Sequence, residues 1–453
     1  MPLTGRWLLV LAAVRTRPRP LAADPARLIG SADRALRINN WDSNAVLYRT
    51  WQIPDANTSV NPESMAKKAA IRPAPNRIFA TFRTSSGSWD GFTRKHGAQI
   101  RATLSAMNFA SDNTAGIAPA ILDAIAGANR GYARGYGNDD WTQAAERRLA
   151  EVFEREVAVY LVPTGTAANA LALAQVSPPW GVIFCHARSH IVSDECGAVE
   201  FFGGGVKLES LPGNDGKIAP ATLQRALAGY GGHSPHQMIP AALSITQASE
   251  AGTIYRTGEI AALCDIAHAR SLAVHMDGAR FANALVRLNA SPAQMTWRSG
   301  IDVLSLGATK GGALAAEAVL IFDPVRAAFF GERRKRAGHL LSKHRFIAAQ
   351  FLAWLADDRW LALARHANDQ ADRLAAELTA IGLKPVWPVE ANLVFVLLPR
   401  ALDAKLKAAG ANYYVRDADG LNVGPDSVLV RLVTSFSTED DDIERFVNLC
   451  KKS

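Results

Sequence analysis

The chain has little cysteine and no cysteine pattern. Cys185, Cys196, Cys264 and Cys450 are scattered over 453 residues without a CxxC pair. This spacing argues against a disulfide framework or a zinc site, so no metal is expected; it reads as the reduced thiols of a cytoplasmic protein. Long apolar runs are also missing. Trp7 to Val14 is far too short to span a bilayer. Arg15, Arg17 and Arg19 follow it, where a signal-peptide cleavage region would be small and uncharged. There are no internal repeats. Most of the chain lacks an excess of either charge. The net charge is +8, but residues 1–106 hold 16 of the 50 Lys/Arg and 6 of the 42 Asp/Glu, which leaves 34 basic against 36 acidic residues. The body of the chain therefore offers no argument for nucleic acid or an anionic membrane as partner.

What is present divides at about residue 106. Before it lies a basic segment rich in Pro and Arg, with little sustained periodicity. It reads as a disordered extension or as an overextended start, with Met107 a plausible true beginning. A charge run of this kind is more often solvated than engaged with nucleic acid or acidic lipid. After it, apolar runs alternate with helical patterns. The runs are Val157–Val162, Gly181–Cys185, Ala241–Thr246, Leu272–Asp277, Ile301–Gly307 and Ala316–Phe322. They are short and apolar almost throughout, as strands covered on both faces are. Between them, residues 142–153, with Thr142 as cap, and residues 256–270 carry helical stripes. This is the pattern of an α/β protein whose mostly parallel sheet is flanked by helices. A long helical region over about 325–380 follows. Shorter elements at Asn392–Leu398, Val428–Thr434 and from Thr438 onward end the chain. They suggest a large domain over 107–345 and a smaller C-terminal α/β domain over 346–453.

In open parallel sheets, ligands sit at the carboxyl ends of strands. Four clusters fall at such ends. Thr164-Gly165-Thr166-Ala167-Ala168-Asn169 offers amides at a helix start and a hydroxyl, which suit a phosphate; a plain turn is the simpler alternative. His190 follows the second run, and alone it is more often a satisfied surface histidine. In His275-Met276-Asp277-Gly278-Ala279-Arg280, Asp277 emerges from a buried run and needs a cationic partner or a helix to cap. Lys310, in Leu304-Ser305-Leu306-Gly307-Ala308-Thr309-Lys310-Gly311-Gly312, stands among small residues as an imine-forming amine requires; a solvated loop lysine is the alternative. In that order, a phosphate loop, a ring-stacking histidine, a strand-end aspartate and a strand-end lysine make a pyridoxal-phosphate site. The 33 residues from Asp277 to Lys310 leave room for one helix and one strand, which puts the two on different strand ends of one sheet.

From about Phe109 to its end the chain resembles the low-specificity L-threonine aldolases, pyridoxal-phosphate enzymes of the aspartate-aminotransferase fold type, fold type I. The marks are Phe109-Ala110-Ser111-Asp112-Asn113, Tyr136-Gly137-Asn138-Asp139-Asp140, Gly165 to Asn169, Ser189-His190, Asp194 to Ala198, His275 to Arg280 and Thr309-Lys310. The resemblance implies Lys310 as the Schiff-base lysine and Asp277 as partner of the pyridinium nitrogen. It implies Gly165 and Thr166 on the phosphate, Arg280 on the phenolate side and His190 stacked on the ring. Ser111 and Arg431 would hold the substrate carboxylate. It also implies homodimers or homotetramers with shared sites, in which Lys335 reaches the neighbour's phosphate and Tyr136 contributes across the interface.

The implied reaction is cleavage of L-threonine, L-allo-threonine or a related substrate such as phenylserine to glycine and an aldehyde. His190 is the candidate base at the β-hydroxyl, and Glu250 the next. One departure bears on this. Many family members have Asn-Thr-His-Asn where this chain has Gln247-Ala248-Ser249-Glu250. That leaves open which group binds the β-hydroxyl. The competing readings are a β-eliminating lyase acting on aromatic or sulfur amino acids, a transaminase, and a non-catalytic scaffold.

Overall fold

The computed structural model describes residues 107–418, 420–421 and 423–451. The readings made for residues 1–106 lie outside the described residues. Seven strands form the large sheet: β1 (Ala158–Val162), β2 (Gly181–His186), β3 (Lys207–Leu211), β4 (Ile239–Thr246), β5 (Ala273–Gly278), β6 (Val303–Gly307) and β7 (Glu317–Ile321). Their order is β1-β7-β6-β5-β4-β2-β3. Every residue of β2, β5, β6 and β7 is buried, which is why these segments read as continuous apolar runs.

From β3 to β6 all pairings are parallel, whereas β7 runs antiparallel to both β1 and β6. The reversal matters for the site. It puts the beginning of β7, Glu317, opposite Val162 and Gly307, the last residues of β1 and β6. Six carboxyl ends and one amino end of strands thus share one edge. The helix Gly165–Val176 packs over β1, β6 and β7, and every residue from Ala167 to Ala174 is buried. A run of alanines allows that close approach.

The small sheet has β8 (Leu393–Pro399), β9 (Tyr414–Arg416) and β10 (Ser427–Val433), antiparallel in the order β8-β10-β9. Helices Arg359–Ala380, Arg400–Ala408 and Asp440–Lys451 accompany it, around a core containing Phe109, Leu374, Val430 and Phe446. Phe109 belongs here because its segment is stitched to the small sheet. Phe109 N donates to Asn412 O at 2.8 Å, and Val433 N donates to Phe109 O at 2.8 Å. These bonds fix the chain that delivers Ser111 and Asp112 to the edge of the large sheet.

Three expectations change in detail. The strands β3 and β9 carry too many polar or exposed residues to show as apolar runs; β3 lies at the sheet edge, where only one side is paired. The helical region over 325–380 breaks into Phe330–Arg336, Arg345–Leu355 and Arg359–Ala380. Gly338 at φ 80° and Asp357 and Asp358 at φ 52° interrupt it. The helix expected from Thr142 begins at Asp140 and is capped by Asp139, whose carboxylate accepts from Thr142 N and Thr142 Oγ1, both at 2.9 Å. Among the described residues no helix is long and apolar enough to cross a membrane.

Candidate active site

The shared edge holds a cavity of about 360 Å³. Gly165, Thr166, His190, Glu250, Asp277 and Lys310, six residues chosen from the sequence, all line it. Each arrives there for a local reason. Thr164 caps the helix Gly165–Val176 by accepting from Ala167 N at 3.2 Å, which leaves Gly165 and Thr166 bordering the cavity at the first turn. A methyl group at Gly165 would meet nothing within 4 Å. Asp277 ends β5, and Lys310 sits half-buried in the single 3-10 turn Thr309–Gly311 that follows β6.

Asp277 is held on both oxygens. Ala279 N donates to Oδ1 at 3.0 Å, and Asn169 Nδ2 donates to Oδ2 at 3.0 Å. The same amide nitrogen donates to Glu195 Oε1 at 2.8 Å, and Glu195 Oε1 lies 2.9 Å from His190 Nδ1. One buried asparagine therefore ties the carboxylate under the cavity to the pair that orients His190. The hydrogen bond to Glu195 raises the His190 pKa against the opposing effect of burial. Burial raises the Glu195 carboxyl in turn. Two places before Asp277 on β5, His275 bonds Ser244 Oγ and Ser305 Oγ, both at 2.9 Å. Burial pushes it down to about 4, so it stands neutral between the two serines.

Ser111, Arg280 and Arg431 do not line the cavity but lie close behind it. Arg280 donates to Asp112 from Nε at 2.9 Å and from Nη2 at 3.0 Å, and Asn392 Nδ2 donates to the same carboxylate at 3.1 Å. Burial alone would raise the Asp112 carboxyl, but Arg280, Lys310 and the Asn392 amide hold it below the ordinary range. Ser111 accepts from Asn113 N at 3.2 Å, and Asn113 borders the cavity. Arg431 donates from Nη2 to Ala110 O at 3.2 Å, while its Nε is buried with no partner among the described residues. Burial, helped by repulsion from Arg280, lowers its pKa to about 10. Tyr136 and Lys335 do not line the cavity and pack on each other: Lys335 Nζ lies 4.5 Å from the Tyr136 ring centroid.

The departure at Gln247–Glu250 acquires a structural meaning. Gln247 is fully buried, donating to Tyr255 O at 2.8 Å and accepting from Tyr255 N at 2.9 Å. Ser249 pairs with Thr253 at 2.7 Å. Glu250 is the member of this turn that lines the cavity.

The residues fit pyridoxal phosphate by their chemistry. A helix start suits a dianion, a doubly anchored carboxylate suits a ring cation, and an amine lines the same cavity. Arg431, with an unpaired Nε behind them, suits a substrate carboxylate. Four contributors escaped the sequence reading. Asn169 and Glu195 lay inside quoted motifs but had no role until the fold joined them. Asp112 needed its partner Arg280, 168 residues away. Glu317 begins an antiparallel strand, so a search of strand carboxyl ends passes over it.

The sequence pattern described as beta-eliminating lyase matches residues 108–401. The low specificity L-threonine aldolase of Pseudomonas aeruginosa is 43% identical, over 76% of this chain and 96% of its own. That of a Pseudomonas species is 40% identical, over 69% and 90%. The solved threonine aldolase of Leishmania major superposes with a TM-score of 0.71 at 29% identity, over 76% of this chain and 98% of its own. With a lysine, an aspartate and a helix start that fit pyridoxal phosphate gathered in one cavity, this chain belongs to the beta-eliminating lyase family, as a pyridoxal-phosphate-dependent lyase related to the low-specificity L-threonine aldolases.

Proposed function

We propose that the protein cleaves L-threonine, L-allo-threonine and related β-hydroxy-α-amino acids such as phenylserine to glycine and an aldehyde. The observation that carries this reading is the convergence of Lys310, Asp277, His190 and the Gly165–Thr166 helix start on one cavity, with the unpaired Nε of Arg431 behind it. Bound pyridoxal phosphate supplies an electron sink for cleavage beside the substrate's amine-bearing carbon. Lys310 Nζ would hold it covalently, and Gly165 and Thr166 would take its phosphate. Asp277 would favour a proton on its ring nitrogen. Arg280, fixed by Asp112, and His190, on the cavity wall, would help to hold it. Arg431 and Ser111 bind the substrate carboxylate and so orient the bond to be broken. His190, alone or through a water, accepts the β-hydroxyl proton; Glu250, on the same cavity wall, is the second candidate.

The same reading includes a cytoplasmic location and assembly into a homodimer or homotetramer. In such an assembly Tyr136 and Lys335, which pack together and do not line the cavity of their own chain, would serve a neighbour's. It also includes division into a large domain over 107–345 and a small one over 346–453.

Purified protein with pyridoxal phosphate and each of the three substrates is expected to form aldehyde and glycine in equal amounts. Formation of neither product would refute the reading. The family's description also favours a second reaction, β-elimination from an aromatic or sulfur amino acid, and pyruvate with ammonia in place of glycine would establish it.

The His190–Glu195 pair makes a pH prediction. The Glu195 carboxylate favours the imidazolium, so a base at His190 works only above its raised pKa. In Glu195→Gln that support is gone, and the acid limb of the kcat/KM profile moves to lower pH by about one unit. A limb that stays in place would remove His190 from the role of base.

A further inference from the structure

We propose that Glu317 is the charge partner of Lys310, a positioning residue that sets the protonation of the Lys310 amine inside the cofactor cavity. The proposal rests on the reading above that Lys310 holds the cofactor.

The placement is specific. Glu317 is the first residue of β7, whose other residues, Ala318 to Ile321, are apolar and buried. β7 runs between β1 and β6, so the Glu317 carboxyl is flanked by the ends of both neighbours. Gly307, its partner on β6, makes the room. A methyl group there would stand 2.9 Å from Glu317 Oε2. The carboxyl lines the cavity together with Thr309 and Lys310, yet the residue is only 7% exposed. A glutamate so buried needs hydrogen bonds and a counter-charge. Thr309 provides the first, with its hydroxyl and its backbone amide. That hydroxyl also accepts from Ala316 N at 3.1 Å, so its own proton is left for Glu317.

Among the described residues, charged groups face Glu317 from the ends of two strands. Lys310, from the turn after β6, attracts its anion, and Asp277, at the end of β5, repels it. β1 and the turn after it contribute Val162, Pro163 and Thr164, which carry no charge. The helix Arg345–Leu355 reaches the same loop with the uncharged Gln350, which accepts from Leu314 N at 2.9 Å and Ala315 N at 3.1 Å. Burial pushes the Glu317 carboxyl up to about 7, against the pull of Thr309 and Lys310. It therefore changes charge near neutrality, in the cavity that Lys310 also lines.

The test is a pH titration of the visible cofactor band in the full-chain holoenzyme. In the wild type the transition departs from a one-proton curve, because two coupled groups report on it. In Glu317→Gln the anion is gone and the protonated form of its partner loses support. The transition becomes a one-proton curve with its midpoint at least about one pH unit lower. Glu317→Asp brings the midpoint part of the way back. A Glu317→Gln curve that superimposes on the wild type overturns the proposal. If that variant does not fold, a one-proton wild-type curve shared by Glu317→Asp overturns it equally. Borohydride fixation and peptide mapping separate this failure from that of the underlying reading. Cofactor fixed to a different lysine overturns both, whereas cofactor on Lys310 with unchanged titrations overturns the role of Glu317 alone.

Discussion

Lys310→Ala lowers aldehyde and glycine formation by at least about four orders of magnitude, the scale of loss when a covalent catalytic group is removed. The fold around it should survive. The Thr309–Gly311 turn is closed by backbone bonds, Gly311 N to Ala308 O at 3.0 Å and Ala313 N to Ala308 O at 3.1 Å. Trp354 Nε1 anchors it from outside by donating to Gly311 O at 3.1 Å. None of these involves the lysine side chain. The variant should therefore keep its far-UV dichroism and lose both products together, along with cofactor that can be fixed by borohydride. Turnover within tenfold of wild type would show that another residue holds the cofactor.

Asp112→Ala has the largest expected effect on stability. Arg280 is 6% exposed and its guanidinium is held by the Asp112 carboxylate. Removing one member of a buried pair leaves the other charge uncompensated, at a cost of about 3–5 kcal/mol. Asn392, which donates to the same carboxylate, loses that partner as well. The effect should appear as a lower urea midpoint of the cofactor-free protein, so that it is not confused with lost cofactor binding. Its pH dependence has a definite sign. The folded-state pKa of Asp112 is lowered from its ordinary value of 3.8, so the carboxylate's contribution is complete above that value. It fades as the pH falls below it. The difference between wild type and variant is thus full at neutral pH and shrinks only in acid. A midpoint unchanged at neutral pH would mean that Arg280 finds another partner or water.

The two predictions lie on different sides of what can be read from a linear sequence. Lys310 is legible only with its companions, because an apolar run that ends in small residues and a lysine follows a phosphate-type loop, a histidine and a strand-end aspartate in order. Asp112 is not legible. Its meaning depends on Arg280 and Asn392, which join it only when the segment after Met107 is stitched to the small sheet.

The alternation of apolar runs with helical stripes determined by itself that the body of the chain is an α/β protein, because strands buried on both faces must be apolar throughout. The order of helix start, histidine, aspartate and lysine determined the cofactor class, because each stands just beyond a strand and ligands collect at such ends. The tertiary structure alone decided which polar groups share a proton or a charge. Asn169 meets Asp277 across 108 residues, and Glu317 reaches the same cavity only because β7 runs against its neighbours. Strand direction and side-chain pairing depend on contacts between distant segments, and local composition carries no record of them. Burial follows from the same packing, so only the folded chain sets the charge of Glu195, His275 and Glu317.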